Sequence, residues 1–354
     1  MTCTSTAPSV STLVNFSLFL NVPFTSRITN TSTLDTETLL LIDEPQPGIP
    51  NTSNTFPYFG QVPGTLGVAA GAPGSGNVYQ GKSFAVNEVV WAGVPYVTGG
   101  TRTFRFTNIR ADAAVLGGSG AIQSFISVTG SVSIAISSPV ATVAQSNPGL
   151  NFSSSIPASP TDAIDLHFKE NFTQAFLKRI ENTLGGPLTA IHQDVPGFFY
   201  CTESGFTPEF SAVTPGAVGS ATTGTRLLAR LSNIPPSVFV VIVPNEVTSS
   251  SGNLVAHRVF PPLGPTFAGG TVSTFGGFSF EFVNAAHKAD LLYEVTAAAP
   301  FQGRNGCLAL DAFDIRAFGF FPVSLAPVNV TGQLAPVDPT ATSSATAPEP
   351  RFLP

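Results

Sequence analysis

A chain of 354 residues is long enough for about two domains, and an apolar content of 43% is ample for two cores and excludes a largely disordered chain. Only 10% of its residues are Asp, Glu, Lys or Arg, against roughly 25% in an ordinary soluble domain, and the net charge is −6 with no basic cluster. That excludes the electrostatic footprint of a nucleic-acid binder or a polybasic membrane patch, and no apolar run approaches the ~20 residues of a spanning helix.

The opening, MTCTSTAPSV, has neither a positive stretch nor an apolar run of its own, so export would require a signal absent from this numbering. Thirty-one prolines and 33 glycines then punctuate short segments rich in Val, Ile, Phe and Thr, the types that suit a half-buried pleated surface. Strands are predicted at 13–22, 37–42, 84–91, 103–109 and 122–136, and later at 227–231, 238–243, 278–283, 291–296 and 313–320. Phe104-Arg105-Phe106-Thr107 alternates aromatic with polar, as a strand with one buried face does. Residues 45–81 hold few strand formers and read as a loop.

The Pro/Ser stretch NPGLNFSSSIPASP places a domain boundary near residue 158. Beyond it, Ile164, Leu166 and Phe168 alternate as a strand, and Phe172, Ala175, Phe176 and Ile180 follow helical spacing up to Gly185-Gly186-Pro187. A short amphipathic helix is therefore expected there. Residues 333–354 are a Pro/Thr/Ala-rich tail with nothing to build a core. The expected architecture is all-β: two β-sandwich-like domains, 1–158 and 159–332, one short helix, and an extended terminal arm at 333–354.

One motif appears twice. GTRTFRFTNI starts at Gly100 and GTRLLARLSNI at Gly224, one in each half, differing by a single residue between Gly and Asn. In a strand that difference reverses side-chain facing unless a bulge absorbs it. The pair reads as an equivalent sheet edge in a duplicated domain, with Arg102 and Arg226 anchoring the turn through nearby carbonyls.

The motifs with a strong mechanical warrant, such as GxSxG, the P-loop, the dinucleotide fingerprint and HExxH, are missing. His167, His192, His257 and His287 are widely scattered. Asp311/Asp314 and Asp43/Glu44 are the nearest carboxylate pairs for glycoside chemistry, but in a strand neither pair shares a face. No catalytic residue, cofactor or metal is expected. Of three cysteines, Cys201 and Cys307 lie in similar turn-like settings and are paired as a disulfide, leaving Cys3 over. Asn30 and Asn51 are the favoured glycosylation sequons, being placed in surface loops. Thirty Phe against five Tyr and one Trp favour dry contacts over sugar binding.

LNVPFTSRITN, LLIDEP, RTFRFTNIRADA, QSFISVTG, DVPGFFYCTESGF and GTRLLARLSNIPP together resemble a group of large secreted β-rich proteins of soil bacteria. The resemblance implies an extracellular or cell-surface setting and transfers no catalytic residue, because no activity is assigned to that group. A second early cysteine is expected in such proteins and only Cys3 is found here. The leading expectation is a structural subunit of an extracellular filament, tube or surface layer, a homo-polymer joined through sheet edges and terminal arms. The competing readings are a glycan-binding or adhesive surface module and, behind it, a polysaccharide-active enzyme.

Overall fold

The computed structural model describes residues 1–5, 11–42, 78–97, 100–131, 134–158, 162–177, 224–259, 272–297, 310–319 and 328–335. These residues form an all-β, wholly antiparallel fold in three sheets. The only helical element among them is one 3-10 turn at Ala113–Leu116.

The first sheet contains β1 (Thr2–Ser5), β2 (Ser11–Leu20), β3 (Ile28–Asn30), β4 (Asp35–Ile42), β5 (Val78–Ala85), β6 (Glu88–Val97), β7 (Gly100–Thr107), β8 (Gly120–Gly130) and β9 (Val140–Ser146). Their order is β1-β7-β4-β5-β6-β2-β8-β9, with β3 also on β4. In β2 the buried Val14, Phe16, Leu18 and Leu20 alternate with outward residues, so one face must be covered. The sheet covers that face with itself. Phe16 of β2 lies 4.7 Å ring to ring from Phe104 of β7, although three strands separate them in the sheet. Trp91 of β6 meets Phe106 of β7 at 4.9 Å. The sheet is thus curled, its two arms facing each other across one core, as the twist of wide sheets favours. A bulge in β6, where Ala92 and Gly93 stand against the single Asn15 of β2 and Gly93 N–H donates to Asn15 Oδ1 at 2.9 Å, helps β6 to bend.

The other two sheets face each other as a sandwich. One holds β10 (Leu150–Ser155), β11 (Ala163–Glu170), β19 (Ala312–Phe318), β13 (Val240–Pro244), β17 (Phe278–Phe282) and β16 (Val272–Phe275), in that order. The other holds β14 (Glu246–Thr248), β15 (Leu254–Val259), β18 (Ala289–Ala297), β12 (Arg226–Ser232) and β20 (Asn329–Ala335). Leu166, Phe168, Phe313 and Ile315 from the first layer share one core with Leu227, Leu291, Tyr293 and Val295 from the second.

Several expectations shift. The changeover between cores falls at residues 147–149 and not near 158, because β10 pairs with β11 and its Leu150 and Phe152 pack on the second core. The predicted strand 84–91 is two strands joined by a turn at 86–87, and strand 122–136 stops at Gly130. The expected loop 45–81 and the expected tail from 333 each yield residues to strands, Val78–Gly81 to β5 and Gln333–Ala335 to β20.

The helix expected from Phe172 is a run of turns through 177, and its continuation through Ile180 lies outside the described residues. Ala175 N–H reaches the Phe172 carbonyl at 3.2 Å, but the next two amides are taken by side chains. Phe176 N–H donates to the Glu170 carboxylate at 2.7 Å and Leu177 N–H to Thr225 Oγ1 at 2.9 Å. Those partners replace the i→i−4 carbonyls a helix would use.

Candidate interaction surface

The repeated motif resolves from its far end. Counted back from Asn108 and Asn233, Arg105-Phe106-Thr107-Asn108-Ile109 matches Arg230-Leu231-Ser232-Asn233-Ile234 without a gap. Both Asn residues turn the chain in the left-handed region, φ 58° and 54°, which Asn tolerates better than most residues. The odd residue is absorbed at the entry, where β7 starts at Gly100 itself but β12 starts at Arg226. Neither strand is an edge. β7 lies between β1 and β4, and β12 between β18 and β20. Arg226 Nε donates to the Glu294 carboxylate at 3.3 Å, which also accepts Gly224 N–H at 3.2 Å, so a carboxylate holds this turn. Arg102 stands opposite Cys3 in the β1–β7 register.

The other sequence candidates fall apart in space or outside the described residues. Cys201, Cys307, Asn51, His192 and the Asp43/Glu44 pair belong to the latter group. Asn30 closes the short strand β3 and is not in a loop. Cys3 is a free thiol half-buried against the first core, and burial pushes its pKa up, away from reactivity. His167 pairs with Asp314 at 2.5 Å and His257 with Glu246 at 3.1 Å, both on exposed faces. His287 occupies a left-handed turn position, φ 55°. Asp311 is buried while Asp314 is exposed, as opposite strand faces require.

A link that sequence spacing could not show joins Glu170 to the main chain of Asp311. Glu170 N–H donates to the Asp311 carbonyl at 2.9 Å, and Asp311 N–H returns to Glu170 Oε2 at 2.8 Å. With Oε1 taken by Phe176 N–H, both oxygens of the buried Glu170 are bound to backbone amides, which suits a structural clasp and not a proton shuttle. Burial, with the nearby Asp311, raises the Glu170 pKa. A carboxyl whose folded pKa is raised favours the fold below its ordinary pKa and loses that contribution as pH rises through the raised value. Glu170→Gln mimics the protonated acid. Wild type should therefore lose stability relative to Glu170→Gln as pH is taken from the acid side of the carboxylate range toward neutrality, read from denaturant midpoints at each pH.

What the described surface offers is sheet edge and phenylalanine. The three sheet paths end in β1, β9, β10, β16, β14 and β20. All but β14, which carries Glu246, lack Asp, Glu, Lys, Arg and Pro altogether. Proteins normally protect edges with charge, proline or bulges, since an open edge is a template for another strand. Residues 140–145 of β9 are exposed on both faces, Val140 and Val143 among them.

The second feature is an inverted strand. In β17 Ser279 and Glu281 face inward and are buried, while Phe278, Phe280 and Phe282 face outward. The inversion has a cause across the sandwich. Glu281 meets Arg258 of β15 at 2.8 Å, both side chains almost wholly buried. Arg258 also donates to the carbonyls of Val259 at 2.9 Å and Leu292 at 2.7 Å and lies over the Tyr293 ring at 5.6 Å. Ser279 Oγ donates to Asn245 Oδ1. Among the described residues no group of three or more His, Cys, Asp or Glu is placed to hold a metal, and no helix is long and apolar enough to cross a membrane.

Comparison with known protein families, with curated proteins and with solved structures returns no match to this chain.

Proposed function

We propose that this protein is a structural subunit of an extracellular filament, tube or surface layer, joining copies of itself by adding strand to strand at its sheet edges. The observation that carries the reading is the near absence of charge from the sheet ends: among the described residues, five of the six strands that end the sheet paths carry no ionic side chain to repel a partner. β9 and β10 are two such edges in succession, separated only by Asn147-Pro148-Gly149. β20, from which the expected arm departs, is a third. The low charge of the whole chain fits a surface covered by neighbours better than one that stays in water.

Negative-stain microscopy of the purified chain tests the reading. Polymers that shorten on dilution are expected, and Val143→Lys with Ser154→Lys, each an exposed position on β9 or β10, should abolish them without changing the circular dichroism spectrum. Compact monomers alone at high concentration would sink the proposal.

A further inference from the structure

The β4–β5 pair holds a lysine where the other buried ion pairs of the protein use an arginine. Lys82 of β5 stands opposite Asp35 of β4 in register, its Nζ 3.5 Å from Asp35 Oδ1, with only 12% and 2% of the two side chains exposed. The other described lysines, Lys169 and Lys288, are exposed. Arg110 with Glu37 and Arg258 with Glu281 pair through a guanidinium, whose planar fork suits a buried carboxylate better than an ammonium does. What an amine offers and a guanidinium does not is a nucleophile.

The backbone around the pair is fixed. Leu34 turns the chain just before Asp35 at φ 59°, a left-handed conformation uncommon for a bulky side chain, and Ser83 N–H, next to Lys82, donates to the Leu34 carbonyl at 3.1 Å. Thr33 Oγ1 donates to Asp35 Oδ2, while Oδ1 faces the amine. The neighbouring buried carboxylate does not compete, since Glu37 Oε1 is taken by Arg110 Nε at 2.8 Å and Arg27 N–H at 2.9 Å. Among the described residues Lys82 Nζ has no partner but Asp35. An ammonium with three donors is thus nearly out of water with one contact, a costly state for an ion.

We propose that Lys82 and Asp35 condense to a side-chain amide, an isopeptide bond that ties β4 to β5. The ammonium passes a proton to Asp35 Oδ1 and Nζ adds to Cγ, forming one C–N bond. Negative charge on the tetrahedral carbon's oxygen falls on Oδ2, where the Thr33 hydroxyl is already placed as a donor. A second Nζ proton then moves to Oδ1, the Cγ–Oδ1 bond breaks, and Oδ1 leaves as water. The third proton stays on the amide nitrogen, and the two charges cancel. Nothing is oxidised or reduced and no co-reactant is consumed. Holding the two groups side by side is equivalent to a very high local concentration, and the burial that makes the ion pair costly favours a neutral amide in its place. The bond is independent of the assembly reading, since it lies within one chain.

Intact-mass spectrometry of the purified full chain tests the proposal. The folded protein should weigh one water less than its sequence requires, and a digest should contain a branched peptide joining residue 35 to residue 82. Asp35→Ala and Lys82→Arg should each restore the full mass, and Lys82→Arg does so while keeping the positive charge. The decisive reading is the wild-type mass, so it stands even where a variant fails to fold. A wild-type chain of full mass after prolonged incubation in the folded state overturns the bond and leaves an ordinary ion pair. So does a missing water that persists in Lys82→Arg, because it would have been lost elsewhere in the chain.

Discussion

Glu281→Ala is expected to cost the second core about 3–5 kcal/mol, because it strands the Arg258 guanidinium in an apolar interior. Arg258 is buried in the sandwich, and burial already lowers its pKa from the usual arginine value, with Tyr293, Glu281 and Asp290 opposing that shift. The carbonyl acceptors at Val259 and Leu292 and the nearby Asp290 charge moderate the loss but do not replace the direct ion pair. Replacing both partners together, Arg258→Met with Glu281→Leu, should recover the loss and be neutral or stabilising by about 1–4 kcal/mol. Trp91, the only tryptophan, sits in the first core and is blind to this event. Hydrogen exchange at β15, β17 and β18 under mild denaturant is the appropriate readout. Equal protection in wild type and Glu281→Ala would show that the pair does not hold β17.

The second large effect is expected at Gly319, immediately after β19. Its φ of 107° is one that residues with a side chain rarely adopt, and a Cβ built there would lie 2.3 Å from the Val240 carbonyl oxygen. Gly319→Ala therefore meets backbone strain of about 1–3 kcal/mol and, because the obstacle is main chain and cannot swing away, an overpacking cost of about 1–3 kcal/mol. The location makes the loss specific. β13 joins β19 at a single register pair, Ile242 with Phe318, so this is the seam between the β10-β11-β19 and β13-β17-β16 halves of the six-stranded sheet. Exchange at β13 and β19 should rise before that at β11 or β18. A Gly319→Ala protein with wild-type midpoint and protection would mean that the seam yields freely.

The two halves of the chain argue differently about what a sequence can disclose. The all-β class and nine of the ten predicted strands, all but 84–91, which straddles the turn between β5 and β6, follow from residue type and punctuation, because Val, Ile, Phe and Thr between Gly and Pro have few other solutions. Strands without that enrichment, such as Val140–Ser146 and Leu150–Ser155, were not predicted. They are edges, half or wholly in water, and nothing forces an apolar pattern on them. Their lack of charge was plain in the composition, but only pairing order revealed that it collects at sheet ends.

By itself the sequence determined the fold class, the scarcity of ionic groups, the surplus of phenylalanine and the twice-used strand ending in Asn-Ile. The tertiary structure alone decided which face of β17 its phenylalanines occupy. FSFEF by itself reads as a strand with its phenylalanines inward, since apolar residues normally take the buried face of an alternating strand, and the fold does the reverse. What overturns the pattern is Arg258, 23 residues away in sequence and 2.8 Å away across the sandwich. A buried charge must meet its partner, and satisfying that one contact turns three rings toward the outside.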